Sequence, residues 1–134
     1  MEVIKILINR KTDYALRALV YLANKQTEWT SVKEISDKMK IPEIFLAKII
    51  QILAKNKIVE SQRGKLGGVK LKNIDFSILE IIKLMDKDFY LNKCLDLDYS
   101  CEIKTACPIH KIIADLQTEF FKRLDLVKIS DLNK

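Results

Sequence analysis

Glycine, proline, cysteine and histidine are all scarce in this chain. Among 134 residues there are three Gly, two Pro, three Cys and one His. So few Gly and Pro, with 49% hydrophobic residues, exclude a disordered tail or a loop-rich scaffold and favour helix. No run of eighteen apolar residues occurs, so no segment reads as a membrane span. The start, Met1 to Ile8, is too short and too charged for a signal peptide. An odd number of cysteines without an export signal points to a reducing cytoplasm. A single histidine and no nucleophile–base motif argue against an enzyme.

Charge of one sign is in excess, and it is unevenly placed. Residues 1–75 carry 15 Lys/Arg against 8 Asp/Glu, whereas residues 76–134 carry 9 against 10. A solvated Lys-rich surface explains the total of +6 but not its division. Basic charge gathered in one half suits a phosphate partner, with counterion release driving association. The length suits one domain, or one domain with a dimerisation arm.

Ile4 to Ile8 are mostly apolar and β-branched, and read as a short strand or extended arm. Thr12-Asp13 offers an N-cap, and from Tyr14 to Ala23 apolar residues recur three and four apart, which predicts a buried helix. Ser31 with Glu34 three residues on fits a capping box for a second helix, whose apolar face is Val32, Ile35 and Met39. Ile41-Pro42 breaks that helix and starts a third, to about Lys55, with Ile44, Phe45, Ile49, Ile52 and Leu53 expected inside. Two short helices joined by a turn suggest a helix-turn-helix, a weak signal alone. The next stretch strengthens it. Lys57 to Arg63 reads as a strand, Gly64-Lys65-Leu66-Gly67-Gly68 as a turn, and Val69 to Leu71 as the returning strand. A hairpin directly after a helix-turn-helix is a wing, with Arg63 and Lys65 at its tip, suited to a minor groove or a phosphate. Asp75 or Ser77 then caps a helix from Ile78 to about Met85. Cys107-Pro108 opens a long helix with the stripe Ile109, Ile112, Ile113, Leu116, Phe120 and Leu124.

The scarce cysteines and the lone histidine fall together. Cys94, Cys101, Cys107 and His110 lie within seventeen residues, beside Asp96, Asp98, Ser100, Glu102 and Lys104. Free cysteines are commonly small buried hydrophobes, but this company is polar. Three thiolates and an imidazole make a four-coordinate set for zinc or iron–sulfur. No two cysteines form the close zinc knuckle, and the wide spacing suits a loop around a cluster. His110 follows Cys107 by three residues, so both can face one metal from the first turn of a helix.

The stretches Tyr14 to Ala23, Ile41-Pro42, Phe45-Leu46 and Arg63 to Leu71 resemble the bacterial Rrf-two family of winged helix-turn-helix transcriptional regulators, which includes IscR-like and NsrR-like iron–sulfur regulators. The likeness runs from about Ile8 to Leu132. The chain departs from the family in three ways: Lys57 stands where glycine is usual, six residues rather than five separate the first two cysteines, and about five extra residues precede the likeness. The resemblance implies a mainly α fold with a small β-hairpin. Residues 1–85 form the winged helix-turn-helix domain, 86–107 the iron–sulfur ligand loop, and 108–134 a dimerisation helix and tail. It implies a homodimer on double-stranded DNA with a palindromic operator, acting as a repressor-type regulator that senses redox state, nitric oxide or iron supply. The cluster ligands are Cys94, Cys101, Cys107 and His110, with 2Fe–2S favoured over 4Fe–4S. The alternative fourth ligand is Asp13 from the partner subunit. The candidate DNA contacts are Lys40, Ala47, Lys48, Gln51, Arg63 and Lys65. Two other readings are a winged-helix regulator with structural zinc or redox-active thiols, and a small iron–sulfur electron carrier.

Overall fold

The computed structural model describes residues 7–25, 28–64 and 67–133. The strand or arm expected at Ile4 to Ile8 lies mostly outside them; Leu7 and Ile8 form a bend.

Helix α1, Arg10–Lys25, is the hub: Ala15, Ala18, Leu19 and Leu22 are completely buried. Its start corrects the expected cap. The Asn9 side chain accepts from the Thr12 amide at 2.8 Å and from the Thr12 hydroxyl at 2.7 Å, so Asn9 caps and Thr12-Asp13 lie inside the first turn. Helices α2, Val32–Met39, and α3, Glu43–Lys55, pack on α1 and on each other. Ser31 caps α2, its hydroxyl accepting from the Glu34 amide at 3.0 Å. The other half of the expected capping box does not form, because the Glu34 carboxylate turns to α1.

The inward face of α3 is Leu46, Ile49, Ile50 and Leu53, at the helical spacing of three and four. Ile44 and Phe45, expected inside, are 75% and 55% exposed. Each residue turns about 100° around a helix, so once Leu46 faces the core Ile44 must face away.

Strands β1, Val59–Gln62, and β2, Gly68–Leu71, form the antiparallel hairpin, from Val59 opposite Leu71 to Gln62 opposite Gly68. Thr30 adds a bridge on the free side of β2, exchanging both backbone bonds with Val69 at 2.9 and 2.7 Å. That approach requires glycine at 68. A Cβ there would lie 2.5 Å from the Thr30 carbonyl oxygen, and φ is +135°.

Helix α4, Ile78–Met85, is capped by Ser77, whose hydroxyl accepts from the Glu80 amide at 3.1 Å and donates to Asp125 at 2.6 Å. The last helix, α5, Pro108–Asp125, has no fully buried residue. Its C-terminal half packs Phe120, Phe121 and Leu124 against Leu79, Ile82 and Phe89. Phe89 and Phe121 stack with ring centroids 5.5 Å apart. The chain then returns to the main core, where Ile129, in a 3₁₀ turn Ile129–Leu132, is completely buried beside α1.

Candidate nucleic-acid interface and thiol loop

The turn between α2 and α3 is held from three sides. Lys40 takes the left-handed conformation, φ +58°, and ends α2. The Ser36 hydroxyl donates to the Ile41 carbonyl, while the Ile41 amide donates to the Ser36 carbonyl at 3.0 Å. From α1, Arg17 donates to the Met39 and Lys40 carbonyls at 3.3 and 3.5 Å and stacks over Tyr14. Carbonyls at a helix end lack intrahelical partners, and a guanidinium there satisfies them. The orientation of α3 is thereby set.

With the turn fixed, Ala47, Lys48 and Gln51 of α3 are all exposed, as are Lys40 and, past β1, Arg63. Lys65 lies outside the described residues. Leading out of α3, Lys57 has φ +62°, at the position where the resembled family has glycine.

A polar group between α1 and α2 was not foreseen from sequence. The Tyr21 hydroxyl donates to Glu34, and the Lys25 ammonium pairs with the same carboxylate at 3.4 Å. The Tyr21 bond chiefly, then Lys25, holds the Glu34 carboxyl below the usual carboxylate value. The same bonds raise the Tyr21 hydroxyl and the Lys25 ammonium. A capping-box spacing and a tyrosine seven residues into a buried-looking helix gave no sign that the two meet.

The cysteine loop runs between α4 and α5 with one 3₁₀ turn, Lys93–Leu95. Cys94 sits in that turn, and the Asn92 amide donates to its sulfur at 3.3 Å. The Cys101 carbonyl accepts from the Lys104 amide at 3.2 Å, and Cys107 is the N-cap residue of α5, with Pro108 next as expected. Gln117 of α5 holds the loop's entry, accepting from the Leu91 amide at 2.7 Å. All three cysteines are free thiols and half-buried. Among the described residues no three His, Cys, Asp or Glu side chains converge on a common metal position. The donors are of the right chemistry for iron–sulfur or zinc, and one further observation fits a ligand: the Nδ1 atom of His110 is buried without a hydrogen-bond partner. Asp13 is otherwise engaged, its carboxylate accepting from Arg17 at 2.7 Å.

A helix pair with a fixed turn, an exposed second helix and a hairpin behind it define a winged helix-turn-helix protein. The family model "Rrf2: Iron-dependent Transcriptional regulator" matches residues 8–134, and the chain belongs to that family of transcriptional regulators. It is 32% identical to the HTH-type transcriptional regulator NsrR of Oceanobacillus iheyensis, over 95% of this chain and 89% of the relative. It is 34% identical to a putative HTH-type transcriptional regulator of Aquifex aeolicus, over 88% and 89%. Among solved structures, the oxidized form of Staphylococcus aureus CymR has the same fold, with a TM-score of 0.75, 21% identity and 95% of each chain covered. T. potens IscR matches with a TM-score of 0.69 and 23% identity, covering 96% of this chain and 85% of that one. No helix among the described residues is long and apolar enough to cross a membrane.

Proposed function

We propose that this regulator binds double-stranded DNA as a homodimer on a palindromic operator, as a repressor-type protein, and that an iron–sulfur centre switches its grip. Support for DNA binding comes from the outward face of α3 and the exposed Arg63 behind it. The observation that carries the switch is the buried, unpartnered Nδ1 of His110, three residues past Cys107 at the foot of α5. Cys94, Cys101, Cys107 and His110 would hold the cluster, 2Fe–2S ahead of 4Fe–4S. Asp13 of the partner subunit is the alternative fourth donor, and Arg17 competes for that carboxylate. When bound, the cluster supplies a centre reactive toward oxidants and nitric oxide and dependent on iron supply.

The chain's own part is mechanical. Drawing the three thiolates together orders the loop, and the loop ends at the first residue of α5. The outer ridge of α5, Ile109, Ile112 and Leu116, is 55–59% exposed and offers a surface to a second copy. The angle at which two α5 helices meet sets the separation of two α3 helices, and half-sites about one helical turn apart must match it.

A second reading keeps the DNA-binding dimer but places structural zinc or redox-active thiols in the loop. It is favoured by the three free thiols and by the lack of convergence among the described donors. An anaerobic absorption spectrum with iron and sulfide counts, followed by operator binding before and after stripping, decides. Coloured protein whose DNA affinity changes on stripping supports the first reading. Colourless protein with one zinc per chain, or occupancy indifferent to stripping, defeats it.

A further inference from the structure

The basic face does not stop at α3. Arg10 and Lys11 open α1 and stand across a cleft of about 470 Å³ from Lys48 of α3. Tyr14, Phe45, Ile49 and Ile52 form its floor, and every charged side chain lining it is a cation. Phe45 stacks on Tyr14, ring centroids 6.4 Å apart, while remaining 55% exposed, so α1 and the start of α3 present one continuous surface. Among the described residues none of Arg10, Lys11 and Lys48 belongs to an ion pair. Arg10 makes a long bond to the Tyr14 hydroxyl, 3.4 Å, and its guanidinium lies 6.0 Å from the centroid of that ring. Cations in the first turn of a helix oppose its dipole, so the charges of Arg10 and Lys11 do not stabilise α1.

We propose that the DNA interface extends onto the first turn of α1. Arg10 and Lys11 hold phosphates of the strand flanking the recognition helix, and the exposed Phe45 ring lies against the apolar edge of its sugars. Three cations from two helices along an open, apolar-floored groove match the repeating charge of a backbone. Their contacts carry no base information and position α3 on the duplex. This extension rests on the DNA-binding reading above.

The test is the salt dependence of binding to a labelled random-sequence duplex, for the parent, Lys11→Ala, Arg10→Ala/Lys11→Ala and Arg63→Ala, each checked for folding by circular dichroism. The slope of log affinity against log salt falls by about 0.9 for each phosphate that is no longer neutralised, so the double variant is expected to be shallower than the parent by about 1.8 for each protomer seated on the duplex, or about 3.6 for a dimer with both halves engaged. Lys11 is exposed, and the single variant keeps the test open if the Arg10 change disturbs Tyr14. Unchanged slopes in both α1 variants, with a shallower slope in Arg63→Ala, overturn the extension and leave the DNA-binding reading standing. A parent that binds no duplex at all overturns both.

Discussion

One nitrogen of Arg17 donates to the Asp13 carboxylate at 2.7 Å, while the other reaches the Met39 carbonyl at 3.3 Å. A single side chain therefore links Asp13, the alternative donor in the proposed cluster site, to the turn between α2 and α3. Both ends of the ion pair are 40–46% exposed, so its own strength is screened, and most of Arg17's contribution comes from the carbonyls it serves.

Arg17→Ala is accordingly expected to cost about 1–2 kcal/mol in urea unfolding, from hydrogen bonds removed at a helix end and weaker packing on Tyr14. Asp13→Ala is expected to cost under about 1 kcal/mol. Equal losses would mean that the ion pair, not the turn, is what Arg17 supports.

At Lys57 the backbone is left-handed, φ +62°, and carries a side chain where glycine would be unstrained. Lys57→Gly should gain roughly 0.5–1 kcal/mol, because relief of the Cβ clash outweighs the added freedom of the unfolded chain. Differential scanning calorimetry reads this as a rise in melting temperature; a fall would show that the lysine side chain does more than occupy the turn.

Glu34 gives a pH signature. Its folded-state value lies below the ordinary 4.5, through Tyr21 first and then Lys25. The stabilisation is thus fully present above pH 4.5 and is lost as pH falls through the lower folded value. Parent and Glu34→Gln should differ at neutral pH and converge on acidification. A difference that persists unchanged into acid would place the effect on packing rather than charge.

Leu116→Asp should yield a folded monomer. Leu116 is 55% exposed, so the domain core tolerates the change, whereas two charges meeting at a dimer seam repel. Sedimentation equilibrium measures it, and a variant that remains dimeric would move the seam elsewhere on the chain.

Much of the architecture was legible in the order of residues. Ser31 and Ser77 before apolar-periodic runs, Pro108 after Cys107, and three glycines crowded behind the third helix are local signals, and they mark helix starts and a hairpin because they act through neighbouring backbone groups. Family motifs spread along the chain connected those elements into a winged fold. The candidate site was legible as chemistry only: the sequence groups three thiols and an imidazole, but their assembly depends on loop conformation, and the described donors do not converge.

Periodicity tells which residues share a face and is silent on what the face meets. The sequence alone determined that α3 and α5 are amphipathic. Only the packed structure decided that Ile44 and Phe45 lie on the open side of α3, because Leu46, Ile49, Ile50 and Leu53 fill the space beside α1. It also divided the stripe of α5, giving Phe120 and Leu124 to α4 and Phe89 and leaving Ile109, Ile112 and Leu116 outside. Arg17 and Glu34 took their roles in the same way, from neighbours that the fold brings close and that sequence distance conceals.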